Sequence, residues 1–198
     1  MHATILSAGP HLLETYRPLE RVSPRAVRIA VNAAAAKVAC DYWCCGDGQT
    51  FARIDPVASP DPMTLFTITD SDSWFHSRAE VRRRFEAHQG GGDQPGGLRL
   101  WGPVARDLGA PGAATAWSIT AALLLAVRLG ARDVEVHGHY HEGDDPGNIT
   151  DCAGFALAKR LDTRPRVLAD WQTMRRWAHD RGIRVVEVAP VREVMPCT

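Results

Sequence analysis

Short runs of hydrophobic, often β-branched residues alternate along the chain with longer segments in which hydrophobic residues recur every three or four positions. The short runs predict β-strands, and the longer segments predict helices. The predicted strands are Ala3–Ser7, Ala26–Val31, Asp41–Cys45, Thr64–Thr69, Leu98–Trp101, Asp133–His137 and Ile183–Val188. The predicted helices are Trp74–His88, Thr115–Leu129 and Pro165–Arg181.

The alternation of strand and helix is typical of α/β proteins with a parallel or mostly parallel sheet. We therefore expect a Rossmann-like three-layer α/β/α fold, with helices on both faces of the sheet. The 198 residues suit a single domain that spans residues 1–198. Residues 88–97 read HQGGGDQPGG and predict a flexible glycine-rich loop, for which a lid over a site and a plain connection are equally good interpretations.

Composition and charge exclude several classes of protein. Hydrophobic residues make up 45% of the chain, which is typical of a folded globular protein. The 23 basic and 23 acidic residues balance, which argues against a protein that coats nucleic acid non-specifically. The most hydrophobic stretch, Ile119–Val127, is too short to span a membrane, and the first residues lack the features of a signal peptide. We therefore expect a cytoplasmic protein; self-association stays an open alternative.

The cysteines favour a reducing compartment. Their number, five, is odd, and a chain of this size does not need disulfides to be stable. Cys40, Cys44 and Cys45 lie in or beside a predicted strand, and no second pair follows at the spacing of a zinc site. We interpret these three as buried thiols rather than metal ligands.

Candidate binding residues follow the predicted strands, where open α/β sheets bind ligands. Gly9 and Pro10 follow the first strand, and Gly9 would let the backbone approach an anionic ligand closely. Asn32 follows the second strand, where it either caps the next segment or hydrogen-bonds to a base or ribose. Asp47 follows the third strand, and a ribose hydroxyl, a metal and its own turn are all suitable partners. The dinucleotide and Walker glycine patterns do not occur.

Three histidines alternate with other residues at the end of the sixth predicted strand: His137, His139 and His141. If the strand continues, all three side chains lie on one face of the sheet. We expect His137 in the core and the other two further out, where either would act as a general base. A metal site of two histidines and an aspartate, and a polar loop with no single task, are the alternatives. We favour the base and assign no metal ligand, because no partner segment is evident.

Five segments of the sequence, taken in order, resemble one family group. Gly9–Leu12 reads GPHL, Ala30–Ala34 reads AVNAA, and Cys40–Asp47 reads CDYWCCGD. Thr115–Gly138 joins TAWS to LGARDVEVHG through a long apolar run, and Trp171–Pro190 gives a last helix, a strand and VAP. These segments resemble a Rossmann-like group that includes bacterial lipooligosaccharide sialyltransferases, motility-accessory glycosyltransferases and archaeal hydroxymethylpterin pyrophosphokinases.

The resemblance implies a group transferase with a nucleotide-activated donor, in the first place a glycosyltransferase that uses a CMP-sugar or another nucleotide sugar. It implies a catalytic base at His139 or His141 and requires no cofactor, since the donor is itself a substrate. The acceptor stays open between a glycan, a small molecule and a nucleic acid. The implied nucleotide-binding residues are Gly9, Pro10, Asn32, Asp47, Thr115 and Ser118.

Three other functions stay open at this point. A magnesium-dependent nucleotide diphosphotransferase would take its metal ligands from Asp47, Asp70, Asp72, Asp144 and Asp145. A viral-type transferase that modifies nucleic-acid bases would bind phosphates through Arg78, Arg82, Arg83, Arg84 and His88. A solvated helix face is the simpler interpretation of that basic run. A non-catalytic nucleotide-binding module would share the binding residues and lack turnover.

Overall fold

The computed structural model describes residues 1–9, 11–16, 26–46, 50, 54, 56, 63–67, 98–139 and 164–189. Within these residues one sheet contains seven strands: β1 (His2–Leu6), β2 (Ala26–Val31), β3 (Tyr42–Cys44), β4 (Thr64–Thr67), β5 (Leu98–Leu100), β6 (Asp133–His137) and β7 (Arg184–Val188). The α-helices of the same part of the chain are α1 (Leu12–Thr15), α2 (Trp101–Asp107), α3 (Ser118–Arg128) and α4 (Arg164–His179). Two 3₁₀ helices cover Asn32–Ala36 and Gly112–Thr115.

The order of the described strands across the sheet is β5-β4-β3-β2-β1-β6-β7, and all neighbouring pairs among them are parallel. From β1 to β5 the chain adds each strand on the same side, and it then returns to the other side of β1 with β6. The strand order therefore reverses between β1 and β6, where Leu6 pairs with His137. This order confirms the predicted α/β fold with a parallel sheet.

Helices pack on both faces of this sheet. The face that we call the α3 face is covered by α2, α3 and α4, and it buries Ala3 and Ile5 of β1. The opposite face, which we call the α1 face, is covered by α1 and the first 3₁₀ helix, and it buries Leu6 and Trp43. Successive strand residues point to opposite faces, so strands buried on both sides read as continuous apolar runs. The expected three layers are therefore present.

The buried helix α3 begins three residues later than predicted. Trp117 is extended, with φ −142° and ψ 151°, and its N–H donates to Thr120 Oγ1 at 3.2 Å. This bond caps the first turn, so the helix begins at Ser118. Thr115, where the prediction began, is instead the last residue of the second 3₁₀ helix.

The other predicted elements agree with the structure to different degrees. The bounds of β2 and β6 are confirmed, β5 and β7 differ from prediction by one residue at one end, and β1 and β3 differ by one residue at each end. Helix α2 was not predicted, because Gly102 and Pro103 are typical turn residues. Proline is nevertheless tolerated in the first turn of a helix, where its missing N–H has no partner to lose. Trp74–His88, the loop 88–97 and residues 68–69 lie outside the described residues.

Two further expectations concern the core and the surface. Cys40, Cys44 and Cys45 are buried, which confirms their interpretation as interior thiols. Among the helices that the structure describes, none has the length and apolar character that crossing a membrane requires.

Candidate functional site

The carboxyl ends of the parallel strands form one edge of the sheet, and most of the predicted site residues that the structure describes lie along it. Gly9 follows β1, Asn32 follows β2 and His139 follows β6. Because β1 lies between β2 and β6, these residues follow three adjacent strands, which are spaced about 5 Å apart. The edge also lies where the strand order reverses, which is where open α/β sheets bind ligands.

The loops after β1 and β6 touch through two glycines. Gly9 is buried, and a Cβ placed on it would overlap the carbonyl oxygen of Gly138. Gly138 has a φ of 67°, and a Cβ on it would lie 2.6 Å from the Ser7 carbonyl oxygen and 2.8 Å from the Leu12 Cβ. The Ser7 N–H donates to the His137 carbonyl oxygen at 2.8 Å. Gly9 was predicted to let a ligand approach the backbone closely. In the structure, the loop after β6 makes this close approach.

His137 lies on the α1 face and is 1% exposed, which confirms its predicted place in the core. Its Nδ1 lies 2.9 Å from the Thr15 carbonyl oxygen, which can only accept, so Nδ1 donates. Its Nε2 lies 3.6 Å from a Glu135 carboxylate oxygen, and the His2 Nε2 lies 3.7 Å from the same oxygen. The Tyr16 ring meets the His137 imidazole edge-on at 5.3 Å, and burial raises the pKa of Tyr16. His137 thus joins α1 to β6.

His139 lies on the opposite face, against α4. Its ring centroid is 5.2 Å from that of Trp171, at an interplanar angle of 49°. A shared face for the histidines depended on the strand continuing, and β6 instead ends at His137, where the left-handed φ of Gly138 turns the chain. The expectation that His139 lies further out is wrong as to exposure, since only 2% of it is exposed. His141 lies outside the described residues.

Asn32 occupies a conformation that few residue types adopt readily. Its φ is 50°, in the left-handed region where asparagine is enriched. It is the first residue of the 3₁₀ helix, so the cap position falls to Val31 instead. The Asn32 carbonyl oxygen accepts from the Trp43 indole N–H at 2.9 Å. The Asn32 Oδ1 is buried and has no hydrogen-bond partner within the described part of the chain. Buried acceptors usually have a donor, so this atom suits a ligand N–H or O–H group.

The amino terminus of α3 is bound to the end of β3. Ser118 Oγ accepts from the Gly46 N–H at 3.0 Å, and the Ser118 carbonyl oxygen accepts from the Cys44 thiol at 3.1 Å. Burial raises the pKa of Cys44 well above its ordinary value, so the thiol keeps the proton that it donates. The Ser118 hydroxyl keeps its own proton for a further acceptor. Thr115 is partly buried at the end of the preceding 3₁₀ helix.

Several predicted residues lie outside the described residues and stay predictions. They are Pro10, Asp47 and His141, the acidic residues Asp70, Asp72, Asp144 and Asp145, and the basic run Arg78, Arg82, Arg83, Arg84 and His88. In the part of the chain that the structure describes, no group of three or more His, Cys, Asp or Glu side chains has an arrangement that would hold a metal ion.

Sequence reasoning missed Trp171 as a residue of this edge. Its helical spacing in α4 predicted a core position, and it is 1% exposed. The spacing of a helix shows which side is buried but not which loop the side chain will contact. The contact with His139 therefore became visible only in the folded chain.

Comparisons with known proteins show a weak structural similarity and no matching family. No protein-family model matches the chain, and no curated protein matches it. Among solved structures, thiamine pyrophosphokinase from Bacillus subtilis is similar, with 14% sequence identity and a TM-score of 0.41. The similarity covers 95% of this chain and 60% of that structure, so this chain spans less than two thirds of its length.

Proposed function

We propose that this chain is a group transferase that binds a nucleotide-activated donor across the carboxyl edge of its sheet. The observation that carries the proposal is the reversal of strand order between β1 and β6. Open α/β sheets generally bind their ligands outside the carboxyl ends of the strands at such a reversal. Gly9, Asn32 and His139 all follow the strands at this point.

The polar groups at this edge suit a nucleotide. The buried Asn32 Oδ1, which lacks a donor among the described residues, would accept from a base or ribose group. The amino terminus of α3 carries partial positive charge, and Ser118 there has a hydroxyl proton to donate. A donor phosphate at Ser118 and a nucleoside at Asn32 is therefore the arrangement that we infer.

The reaction that we propose is transfer of a glycosyl group, which the family resemblance favours. The bond between the sugar carbon and the phosphate oxygen breaks, the acceptor oxygen bonds to that carbon, and the nucleotide leaves with the electron pair. His139 takes the acceptor proton, a role in which imidazole side chains commonly serve. Donors aimed at the leaving phosphate stabilise the charge that develops on it, and they would supply much of the rate.

Binding is tested by a thermal-shift series with CMP, UDP, GDP, ADP and ATP, each with and without magnesium. A nucleotide at 100 times its Kd should raise the melting temperature of this chain by about 5–10 °C. The variant Asn32→Gly keeps the left-handed backbone and removes the amide, so it should stay folded and lose the shift. Gln172→Ala, on the exposed side of α4, is the matched control and should keep it. No shift with any nucleotide would refute the proposal.

Transfer is tested with water as acceptor, by incubating the protein with CMP-sugars and UDP-sugars and measuring nucleotide release by chromatography. His139→Gln should bind the donor as well as the parent protein does and release nucleotide about 100 to 10,000 times more slowly. Full activity in that variant would remove His139 from the mechanism. Turnover of ATP that depends on magnesium, without release from nucleotide sugars, would favour the diphosphotransferase instead.

A further inference from the structure

Trp171 connects the candidate site to the last helix and strand of the described chain. Its ring lies beside the His139 imidazole at 5.2 Å between centroids, and both side chains are at most 2% exposed. A buried imidazole in contact with a large aromatic ring has few orientations open to it. What holds Trp171 therefore bears on the orientation of His139.

The Trp171 indole is held by a carboxylate from another element. Its N–H donates to Glu187 Oε1 on β7 at 2.8 Å. Arg175, one turn further along α4, lies with Nη1 2.9 Å from the same oxygen. The Glu187 side chain is 20% exposed, so water partly screens its ion pair with Arg175. Two donors nevertheless hold its carboxylate, the Trp171 indole N–H and the Arg175 guanidinium.

This anchoring is not a general requirement of the core. Trp101 and Trp177 belong to the same hydrophobic cluster as Trp171. Their indole nitrogens are buried and, within the described residues, have no hydrogen-bond partner. Among the described residues, these two buried indoles thus lack a bonded polar atom, while the indole that touches His139 donates to a charged residue.

We propose that Trp171 is a positioning residue for His139, and that Glu187 sets its orientation through the indole N–H. The inference rests on the proposed function, in which His139 accepts the proton of the acceptor. Trp171 does not touch the reacting atoms in this account; it holds the imidazole on the α3 face of the carboxyl edge. Glu187 on β7 thereby acts on the site indirectly, through Trp171.

The structure supplies a matched control on the same helix. Asp170 is adjacent to Trp171 in sequence, and its Oδ2 accepts from the Trp117 indole N–H at 2.8 Å. Removing either carboxylate breaks one indole–carboxylate bond of the same length. Only the bond at Glu187 involves the indole that contacts His139.

The test is an NMR comparison of Glu187→Ala, Glu187→Gln and Asp170→Ala in the full chain, with the ring signals of His139 assigned by His139→Gln. Glu187→Ala should move the His139 ring signals and speed exchange of the Trp171 indole proton. Glu187→Gln keeps an oxygen acceptor and should restore most of both values. Asp170→Ala should leave the His139 signals in place. Unmoved His139 signals in Glu187→Ala, or an equal movement in Asp170→Ala, would overturn the inference.

A kinetic arm separates this inference from the proposed function. With a CMP-sugar or UDP-sugar and water as acceptor, Glu187→Ala should lower kcat about 10- to 100-fold and leave KM for the donor unchanged, because a misplaced base slows chemistry without weakening binding. A fall in kcat equal to that of Asp170→Ala would count against the positioning role. If no nucleotide or nucleotide sugar binds, the proposed function fails, while the NMR result still shows whether Glu187 positions His139 through Trp171.

Discussion

The two edges of the sheet use glycine for different physical reasons. At the carboxyl edge, a Cβ on Gly9 or Gly138 would collide with backbone atoms of the neighbouring loop. At the amino edge, Gly130 and Gly182 follow α3 and α4 with φ of 83° and 69°, and a Cβ on either would meet nothing within 4 Å. The amino-edge glycines supply only a backbone conformation, whereas both carboxyl-edge glycines supply space and Gly138 also supplies a left-handed backbone. Space is scarce at the point where two loops converge, which is also where the candidate site lies.

The largest effect is expected at Gly138, where both reasons apply. Gly138→Ala would strain a backbone at φ 67° and press a Cβ against Ser7 and Leu12. We expect a loss of roughly 2–5 kcal/mol in the free energy of unfolding, the sum of the left-handed penalty and overpacking. Urea denaturation followed by circular dichroism measures this loss. A loss no larger than that of Gly182→Ala would mean that the contact between the loops relaxes at little cost.

Gly9→Ala isolates the cost of space, because the φ of Gly9 lies outside the left-handed region. The added Cβ would meet the carbonyl of Gly138, and a backbone carbonyl moves only if the whole loop moves. We expect a loss of about 1–3 kcal/mol in the free energy of unfolding. Gly112→Ala is the matched control, since a Cβ there meets nothing within 4 Å and the backbone is not left-handed. Equal losses in the two variants would contradict the packing of the β1 and β6 loops.

The fold was largely predictable because several of its strands are buried on both faces. A strand such as β1 or β4 then appears as a short, mostly apolar run. Helix α2 was not predictable in this way, because Gly102 and Pro103 indicate a turn when tertiary packing is left out. The strand order could not be predicted either, since it depends on which strand the chain returns to after β5.

The sequence predicted that the candidate site residues lie along one edge of the sheet, but it did not predict the faces on which their side chains lie. Gly9 and Asn32 were found by their position after predicted strands, which parallel pairing brings to one edge. The shared face of the histidines assumed an extended backbone at every residue, and Gly138 departs from it. A glycine between two alternating residues is a signal that the alternation can break, although it does not say in which direction. The contact of Trp171 with His139 joins distant parts of the sequence and has no local signal.

A pH experiment sharpens the contrast between the two edges of the sheet. The backbone contact between Gly9 and Gly138 has no titratable group, whereas the amino edge has a buried thiol nearby. Cys40 lies just before β3, near the amino edge, and burial raises its pKa from 9.0 to about 12. The folded state therefore keeps this thiol protonated. Its contribution to stability is complete below pH 9 and is lost as the pH rises toward 12, because the unfolded chain ionises first. At pH 10 we expect a loss of about 1 kcal/mol from this group.

The measurement is urea denaturation at pH 8 and pH 10 for the parent protein, Cys40→Ala and Gly9→Ala. Cys40→Ala should reduce the loss between the two pH values, and Gly9→Ala should leave it unchanged. The same loss in the parent protein and in Cys40→Ala would show that the thiol is not shielded from water as described.

The smallest effect is expected at Gly182, where only the conformation is at stake. Alanine at φ 69° incurs the left-handed penalty of about 1–2 kcal/mol, and it recovers about 0.4–1 kcal/mol because it restricts the unfolded chain more than glycine does. The net loss in the free energy of unfolding should thus be about 1 kcal/mol, measured by the same denaturation. Gly182→Asn should lose less than Gly182→Ala, because asparagine adopts left-handed backbone more readily. At Gly9 the order of the two substitutions should reverse, since asparagine is larger and space is what that position lacks. Substituting alanine and asparagine at both Gly182 and Gly9 therefore separates the two uses of glycine. If the two substitutions rank in the same order of stability loss at both positions, the proposed difference between the edges is wrong.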